Sequence, residues 1–255
     1  MPGQPDPRAH SMHPVGFAVL AAWLLLGCAL LVMDQPPHIL TFAFVMVGWM
    51  LSVMAHEFGH ALVGYWAGDH TVKAKGYLDF DPRRYVNPGV TIGIPLLALA
   101  LGGVGFPGGA VYLRNDLMRS RLWRSAASLA GPAVTAAIFI ALSGGLDLWA
   151  VTEVGRELYA AASVLAFLQA MALILNLLPI PGLDGFNAIR PFLPASWGPA
   201  IRKAEGLSMV ALLVLVFVVP GGSAVLFGAA ARLSLAVGLR PELLDYGWKA
   251  FHFWQ

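Results

Sequence analysis

Six long apolar runs constrain the fold of this chain more than any other feature of its sequence. A transmembrane helix needs roughly 20 apolar residues. The runs lie at about 15–33, 39–66, 122–143, 158–178, 204–219 and 223–238. Only 12% of the 255 residues are charged, against about 25% in typical soluble domains. The sequence therefore predicts an all-α, polytopic membrane protein with about six transmembrane helices.

A seventh apolar stretch, 89–105, is only 17 residues long and contains Pro95 and several glycines, which favour a broken, re-entrant segment over a straight helix. If this stretch turns back, nearly all lysines and arginines, including those of the C-terminal tail, share one side. The positive-inside rule makes that side cytoplasmic. A full crossing would export the arginines of 106–124, which the same rule disfavours.

The apolar runs are expected to form one membrane-embedded domain, 15–238, between two short ends. The proline-rich residues 1–14 are expected to be disordered, and the aromatic tail 239–255 to lie at the membrane interface. The first run also resembles a lipoprotein signal at Cys28, but apolar residues continue to Met33, which favours a transmembrane helix. The net charge of +2 gives no indication of a nucleic-acid partner.

Residues 56–60, inside the second run, read His-Glu-Phe-Gly-His. Positions i and i+4 of a helix lie on one face, so His56 and His60 can bind one zinc ion while Glu57 projects beside it. Ionisable groups inside a membrane span are expensive and are functional by default. A histidine pair with a purely structural role is the alternative, but it leaves Glu57 without a purpose. The motif therefore predicts one Zn²⁺ site per chain.

Two histidines leave a catalytic zinc ion one protein ligand short. Asp69 and His70 follow the motif closely, and Asp184 ends the segment Asn-Leu-Leu-Pro-Ile-Pro-Gly-Leu-Asp at 176–184. The two prolines can end a helix and let the chain turn back. In the six-span topology Asp184 emerges on the same side as the histidine pair, which favours Asp184 as the third ligand.

Residues 71–80 alternate between apolar and polar side chains, which predicts a short β-strand after the second span. Its edge could bind an unwound substrate as an added strand, and a purely structural strand is an equal alternative. In the third run, Ala130 and Gly131 belong to a small-residue face, for which close helix packing is favoured over substrate contact.

Three motifs in this order resemble the site-2 proteases, the zinc intramembrane metalloproteases. They are the His-Glu-Phe-Gly-His motif, Ala130-Gly131-Pro132, and Asn-x-x-Pro-x-x-x-x-Asp-Gly at 176–185. The likeness covers about residues 40–190, and the region 79–87 is similar to the compact bacterial branch. No PDZ domain or CBS pair, which many members carry, is expected here.

The resemblance implies that His56, His60 and Asp184 bind zinc and that Glu57 is the catalytic base. It also implies that Asn176 positions the substrate or the oxyanion, the alternative being an interhelical hydrogen bond. The implied activity is that of an intramembrane zinc endopeptidase, acting on transmembrane substrates in regulated proteolysis. Its site would face the cytoplasmic side of the cell membrane.

Two other functions stay open from the sequence. A metal-binding membrane transporter would also need intramembrane histidines, but it should show ligands along a path, whereas here the ionisable residues cluster at one depth. A non-proteolytic relative of the family is disfavoured because Glu57 is intact.

Overall fold

The computed structural model describes residues 13–81, 83, 111–148 and 155–254. Over these residues the chain forms nine α-helices, two short 3₁₀ turns and no strand. The helices are α1 Pro14–Val32, α2 His38–Ala67, α3 Thr71–Ala74, α4 Arg121–Leu148, α5 Arg156–Leu177, α6 Asp184–Ile189, α7 Gly198–Phe217, α8 Gly222–Ala236 and α9 Pro241–Phe251.

Four helices in the described part of the chain are long and apolar enough to cross a membrane. They are α1, α2, α5 and the Arg121–Leu146 part of α4. The last two predicted runs form α7, which has charged residues in its first half, and α8, which is apolar but has only 15 residues. The prediction of a helical membrane protein is confirmed, and four of the six predicted spans have full length.

Helix α5 is the centre of the bundle. Its membrane-length window is 83% buried, and Leu165, Leu168 and Met171 have almost no exposed surface. Helices α2, α4, α8 and α9 pack around it. Several alanines of α5 are also buried, and small side chains let helix backbones approach closely where lipid supplies no hydrophobic driving force.

Helices α2 and α4 pack along each other with a close approach of their backbones at Gly59. A Cβ atom at this position would lie only 3.0 Å from the Ala130 carbonyl oxygen. Such a contact is too short for a side chain to fit without a shift of α4. The glycine between the two histidines of the motif therefore lets α4 lie directly against them.

Contacts between the helix ends give each helix a direction in the bundle. We call the end at which α2 finishes, at Ala67, the near end, and the opposite end the far end. The backbone N–H of His13 donates to Asp79 (2.9 Å), the N–H of Arg119 donates to Ala67 (3.0 Å), and the Ser125 hydroxyl donates to Ala188 (2.7 Å). The starts of α1 and α4 and the chain after α5 therefore all lie at the near end.

The C-terminal helix lies at the far end, which differs from the sequence-based expectation. The Tyr246 hydroxyl donates to Glu157 in the first turn of α5 (2.6 Å), and the Phe251 ring stacks on Phe42 near the start of α2. Helices α7 and α8 together thus make one net passage from near to far end. Two full crossings would return the tail to the near end.

The predicted strand at 71–80 is wrong, because local hydrogen bonds close turns there instead. Asp69 accepts hydrogen bonds from the N–H and hydroxyl of Thr71 and so starts the single turn of α3. Gly76 has φ +73° and the N–H of Tyr77 donates to Val72 (3.0 Å). These turns bury Val72 and Tyr77 against α2. The predicted re-entrant stretch 89–105 lies outside the described residues, as do residues 1–12 of the tail 1–14 that was predicted to be disordered, whereas Pro14 begins α1.

Gly247 of α9 provides a test of how this bundle is held together. A Cβ atom there would lie 2.7 Å from the Ala160 carbonyl carbon, whereas one at Gly228 of α8 would meet nothing within 4 Å. We expect Gly247→Ala to lower the free energy of unfolding by about 1–3 kcal/mol through overpacking. Gly228→Ala should instead be neutral or stabilise by up to about 1 kcal/mol. Unfolding in detergent measures both, and equal effects would contradict the packing of α9 on α5.

Candidate active site

Three metal-ligating side chains from two distant parts of the chain converge at the near end of the bundle. The Nε2 atom of His56 lies 3.0 Å from Nε2 of His60 and 3.1 Å from Oδ2 of Asp184. The His60 Nε2 atom lies 3.4 Å from the other Asp184 oxygen. Ligand atoms of a tetrahedral zinc ion stand about 3.3 Å apart at normal bond lengths. The spacing of these three groups therefore fits one zinc ion.

The hydrogen bonds of the imidazole rings favour a cation between the three groups. The Nδ1 atom of His60 lies 2.7 Å from the Ala127 carbonyl oxygen, which can only accept, so Nδ1 carries a proton. In the neutral ring, Nε2 then presents a lone pair toward His56 and the Asp184 carboxylate. The Nε2 lone pair of His60 and the Asp184 carboxylate repel each other unless a positive charge lies between them. The donor set therefore suits a metal ion chemically as well as geometrically.

One stripe of α4 orients both rings, and the sequence did not reveal it. Ala127, Gly131 and Thr135 follow one another at helical spacing. The Thr135 hydroxyl lies 2.9 Å from Nδ1 of His56, and Ala127 supplies the carbonyl for His60. Such partners fix the tautomer and direction of ligand rings. A hydroxyl one helical turn after Gly131 in an apolar helix is the signal that could have identified Thr135.

Gly131 has a steric role at the same place. A Cβ atom on this residue would lie 2.5 Å from Nε2 of His56, and closer still to Nε2 of His60. Any larger side chain would therefore enter the space between the ligand atoms. The sequence favoured ordinary helix packing for this face, whereas the glycine lies directly against the histidine pair.

Asp184 reaches the histidines because the chain folds back tightly after α5. The N–H of Leu183 donates to Ile180 (3.0 Å), and Gly182 has φ +99°, a conformation that favours glycine. A Cβ atom at Gly185 would lie 2.8 Å from the Leu178 carbonyl oxygen. The prolines and glycines of this segment thus produce the turn that the sequence predicted.

Glu57 lies in the same cavity as the three ligand groups and is held by the chain that follows residue 110. The backbone N–H of Val111 donates to Oε2 of Glu57 (2.9 Å). Asn176, at the end of α5, lines this cavity as well. His56, Glu57, His60 and Asn176 are all buried. The sequence could not indicate Val111, because it contributes a backbone group.

The two alternative third ligands do not join the cluster. Asp69 is completely buried and accepts hydrogen bonds from Thr71 and from the N–H of Arg114 (2.7 Å). These bonds fasten the 111–115 segment to the end of α2. His70 is exposed and its ring contacts Tyr65. Both residues have structural surroundings away from the histidine pair.

Comparison with known proteins identifies similar relatives in three bacterial species. "Putative zinc metalloprotease Rip2" of Mycobacterium tuberculosis is 41% identical over 213 residues, covering 84% of this chain and 81% of the relative. The protein of the same name from Mycolicibacterium smegmatis is 42% identical over 176 residues, or 69% of this chain and 67% of the relative. "Putative zinc metalloprotease YwhC" of Bacillus subtilis is 30% identical, covering 72% and 84%.

No family model matches the chain, and no solved structure matches it. The first relative exceeds two thirds coverage of both chains at 41% identity. The family assignment agrees with the three motifs of the sequence. It also agrees with the cluster that fits zinc and with the apolar helices around it. The chain belongs to the site-2 protease family of zinc metalloproteases.

Proposed function

We propose that this protein is an intramembrane endopeptidase that hydrolyses peptide bonds in or near transmembrane segments of other membrane proteins. In this proposal His56, His60 and Asp184 bind the zinc ion. The single observation that carries it is the convergence of their ligand atoms, all within 4.8 Å of one another, in a helix bundle of membrane length. Glu57 lies in the same cavity, and its carboxylate would be needed for hydrolysis but not for metal binding alone.

A bound zinc ion would lower the pKa of a water molecule to about 7 and polarise the scissile carbonyl. Glu57 accepts the proton of the attacking water and returns it to the leaving amine. The Val111 N–H holds one oxygen of this carboxylate, which fixes its direction. The Asn176 amide can donate to the developing oxyanion from the wall of the same cavity.

A metal transporter is the rival function, and the arrangement of ligands argues against it. Transport needs successive binding sites along a path through the membrane. Within the described residues, the groups of histidine, cysteine and carboxylate able to hold a metal reduce to one cluster. The described residues include no second group of such ligands toward the far end. A single metal site beside a carboxylate is what hydrolysis requires.

The proposed enzyme is a multi-pass protein of the cell membrane, with 15–238 as one membrane domain and the near end cytoplasmic. Lys75, Arg83 and Arg119 belong to segments that make contacts at the near end, in accord with the positive-inside rule. The near-end contacts of Arg83 and Val111 also support an even number of crossings between them. The tail 239–255 is then extracytoplasmic.

The first functional test concerns the catalytic base. We expect Glu57→Gln to abolish cleavage of a model transmembrane substrate while one zinc ion per chain stays bound, because the amide cannot accept the proton. Glu242→Gln, an exposed change on α9, is the matched control and should keep full activity. Loss of zinc together with activity would mean that Glu57 is a ligand, and retained cleavage would exclude the proposed mechanism.

The third ligand can be tested by metal content. Asp184→Ala should reduce zinc affinity by at least about tenfold and remove activity, since one of three protein ligands is lost. His70→Ala should change neither quantity. Asp69→Ala should instead lower thermal stability, because the Thr71 and Arg114 hydrogen bonds to it are lost. Normal zinc content in Asp184→Ala would refute the assignment.

The topology can be tested with single cysteines in a Cys28→Ser background. Cysteines at positions 83 and 119 should react with a membrane-impermeant thiol reagent in inverted vesicles only, because both flank the stretch 89–105 at the near end. A cysteine at position 249 should react in intact cells. Labelling of position 119 from outside, with position 83 labelled from inside, would show that 89–105 crosses the membrane.

A further inference from the structure

Arginines line the cavity beside the proposed zinc ligands. This cavity has a volume of about 750 Å³. Its described walls contain Arg121, Arg124 and Arg190, and the acidic residues among them are Glu57 and Asp184. Both acids belong to the proposed catalytic machinery. Among the described wall residues outside the proposed catalytic machinery, the lysine, arginine, aspartate and glutamate side chains are therefore all arginines.

The three arginines differ in whether their side chains are already paired with other groups of the protein. Arg190 donates to Glu205 with a distance of 2.7 Å between Nη1 and Oε1. The Arg124 Nε atom is buried and has no hydrogen-bond partner among the described residues, while the Arg121 side chain is exposed. Arg121 and Arg124 are three residues apart at the start of α4, so both lie on the face that lines the cavity.

The nearby acid of the 111–116 segment is already bound elsewhere. Two hydrogen bonds from Arg114, with Oδ distances of 2.9 and 2.7 Å, hold Asp116. These bonds, with a smaller contribution from the charge of Arg124, lower the pKa of Asp116 to about 2. Arg124 thus keeps a buried N–H group that lacks an acceptor. A buried donor of a charged group without an acceptor is unfavourable. Because the Arg124 side chain lines the cavity, its guanidinium group is placed to bind an anionic oxygen that enters there.

We propose that Arg121 and Arg124 form an anion subsite that selects substrates with acidic residues in the cytoplasmic flank of the cleaved segment. This inference rests on the proposed function and names the substrate class of the same cavity. Because membrane proteins carry an excess of Lys and Arg in their cytoplasmic flanks, the arginines would repel most of the proteins in the bilayer. The subsite therefore repels proteins with basic flanks as well as attracting substrates with acidic flanks.

Three model substrates that differ only in this flank, with four Glu, four Gln or four Lys residues, test the proposal. Binding is measured with the full-length Glu57→Gln protein in neutral detergent, and cleavage with the wild-type protein. We expect the Glu flank to bind about tenfold more tightly than the Lys flank, as for a charge-assisted hydrogen bond. The ratio should shrink as the salt concentration rises.

A double variant with reversed charges is the second test. Arg121→Glu together with Arg124→Glu should invert the preference so that the Lys flank binds best, and carboxylates are tolerated in the first turn of a helix. Arg202→Glu, an exposed change at the same end of the bundle, is the matched control and should keep the wild-type order.

The outcomes separate this inference from the proposed function. Equal binding of the three flanks, or an unchanged order in the double variant, would overturn the subsite. Charge-selective binding without cleavage of any substrate would contradict the peptidase and leave the anion subsite supported. A fall in zinc content of the double variant would identify a damaged site, and Arg124→Gln, which removes the charge alone, should then show the loss of selectivity with zinc retained.

Discussion

The direct contact of α4 with the histidine face of α2 is the interaction on which the rest of the structure depends. Gly59 lets the two backbones meet, and Gly131 leaves the space into which the two Nε2 atoms point. Thr135 and Ala127 then bind the opposite ring nitrogens. Two glycines, one on each helix, therefore decide whether a metal can be held here. The polar groups of α4 fix the direction of the imidazole rings, and the two glycines allow the short distance between the helices.

Much of this arrangement was predictable because it depends on local spacing. His56 and His60 share a face of one helix, and two prolines and two glycines around Asp184 turn the chain back. Thr135, Ala127 and Val111 were not predictable, since their roles depend on which helices touch. Val111 and Ala127 act through backbone atoms, and the residue type does not indicate such a role. A local pattern thus indicates the ligand groups, whereas tertiary contacts provide the groups that orient them.

Two of the differences from expectation, those at 71–80 and at the C-terminal tail, share a physical origin. Alternation at 71–80 has the period of a strand. However, Asp69 accepts hydrogen bonds from the N–H and hydroxyl of Thr71, and Gly76 turns the chain at a positive φ, so turns bury the apolar side chains of this segment. The charges of the tail suggested the near end, but Tyr246 binds Glu157 and Phe251 stacks on Phe42. In both cases specific local contacts outweighed a statistical preference, since strand propensities span only about 1 kcal/mol and the positive-inside rule is a bias summed over many charges.

The position of the site near one end of the bundle reconciles two opposing requirements. Hydrolysis needs water and a path for protons, which the hydrocarbon layer lacks, while selective recognition needs a setting in which charges are weakly screened. At the near end Glu57 and the histidines are buried, yet Arg121 on the same cavity is exposed. The cavity thus extends from the buried residues of the proposed active site to an exposed arginine at its edge. In the proposed enzyme, a substrate that binds in this cavity would contact Arg121 and the proposed metal ligands together, so the charge of its flank would influence how the scissile bond is brought to Glu57.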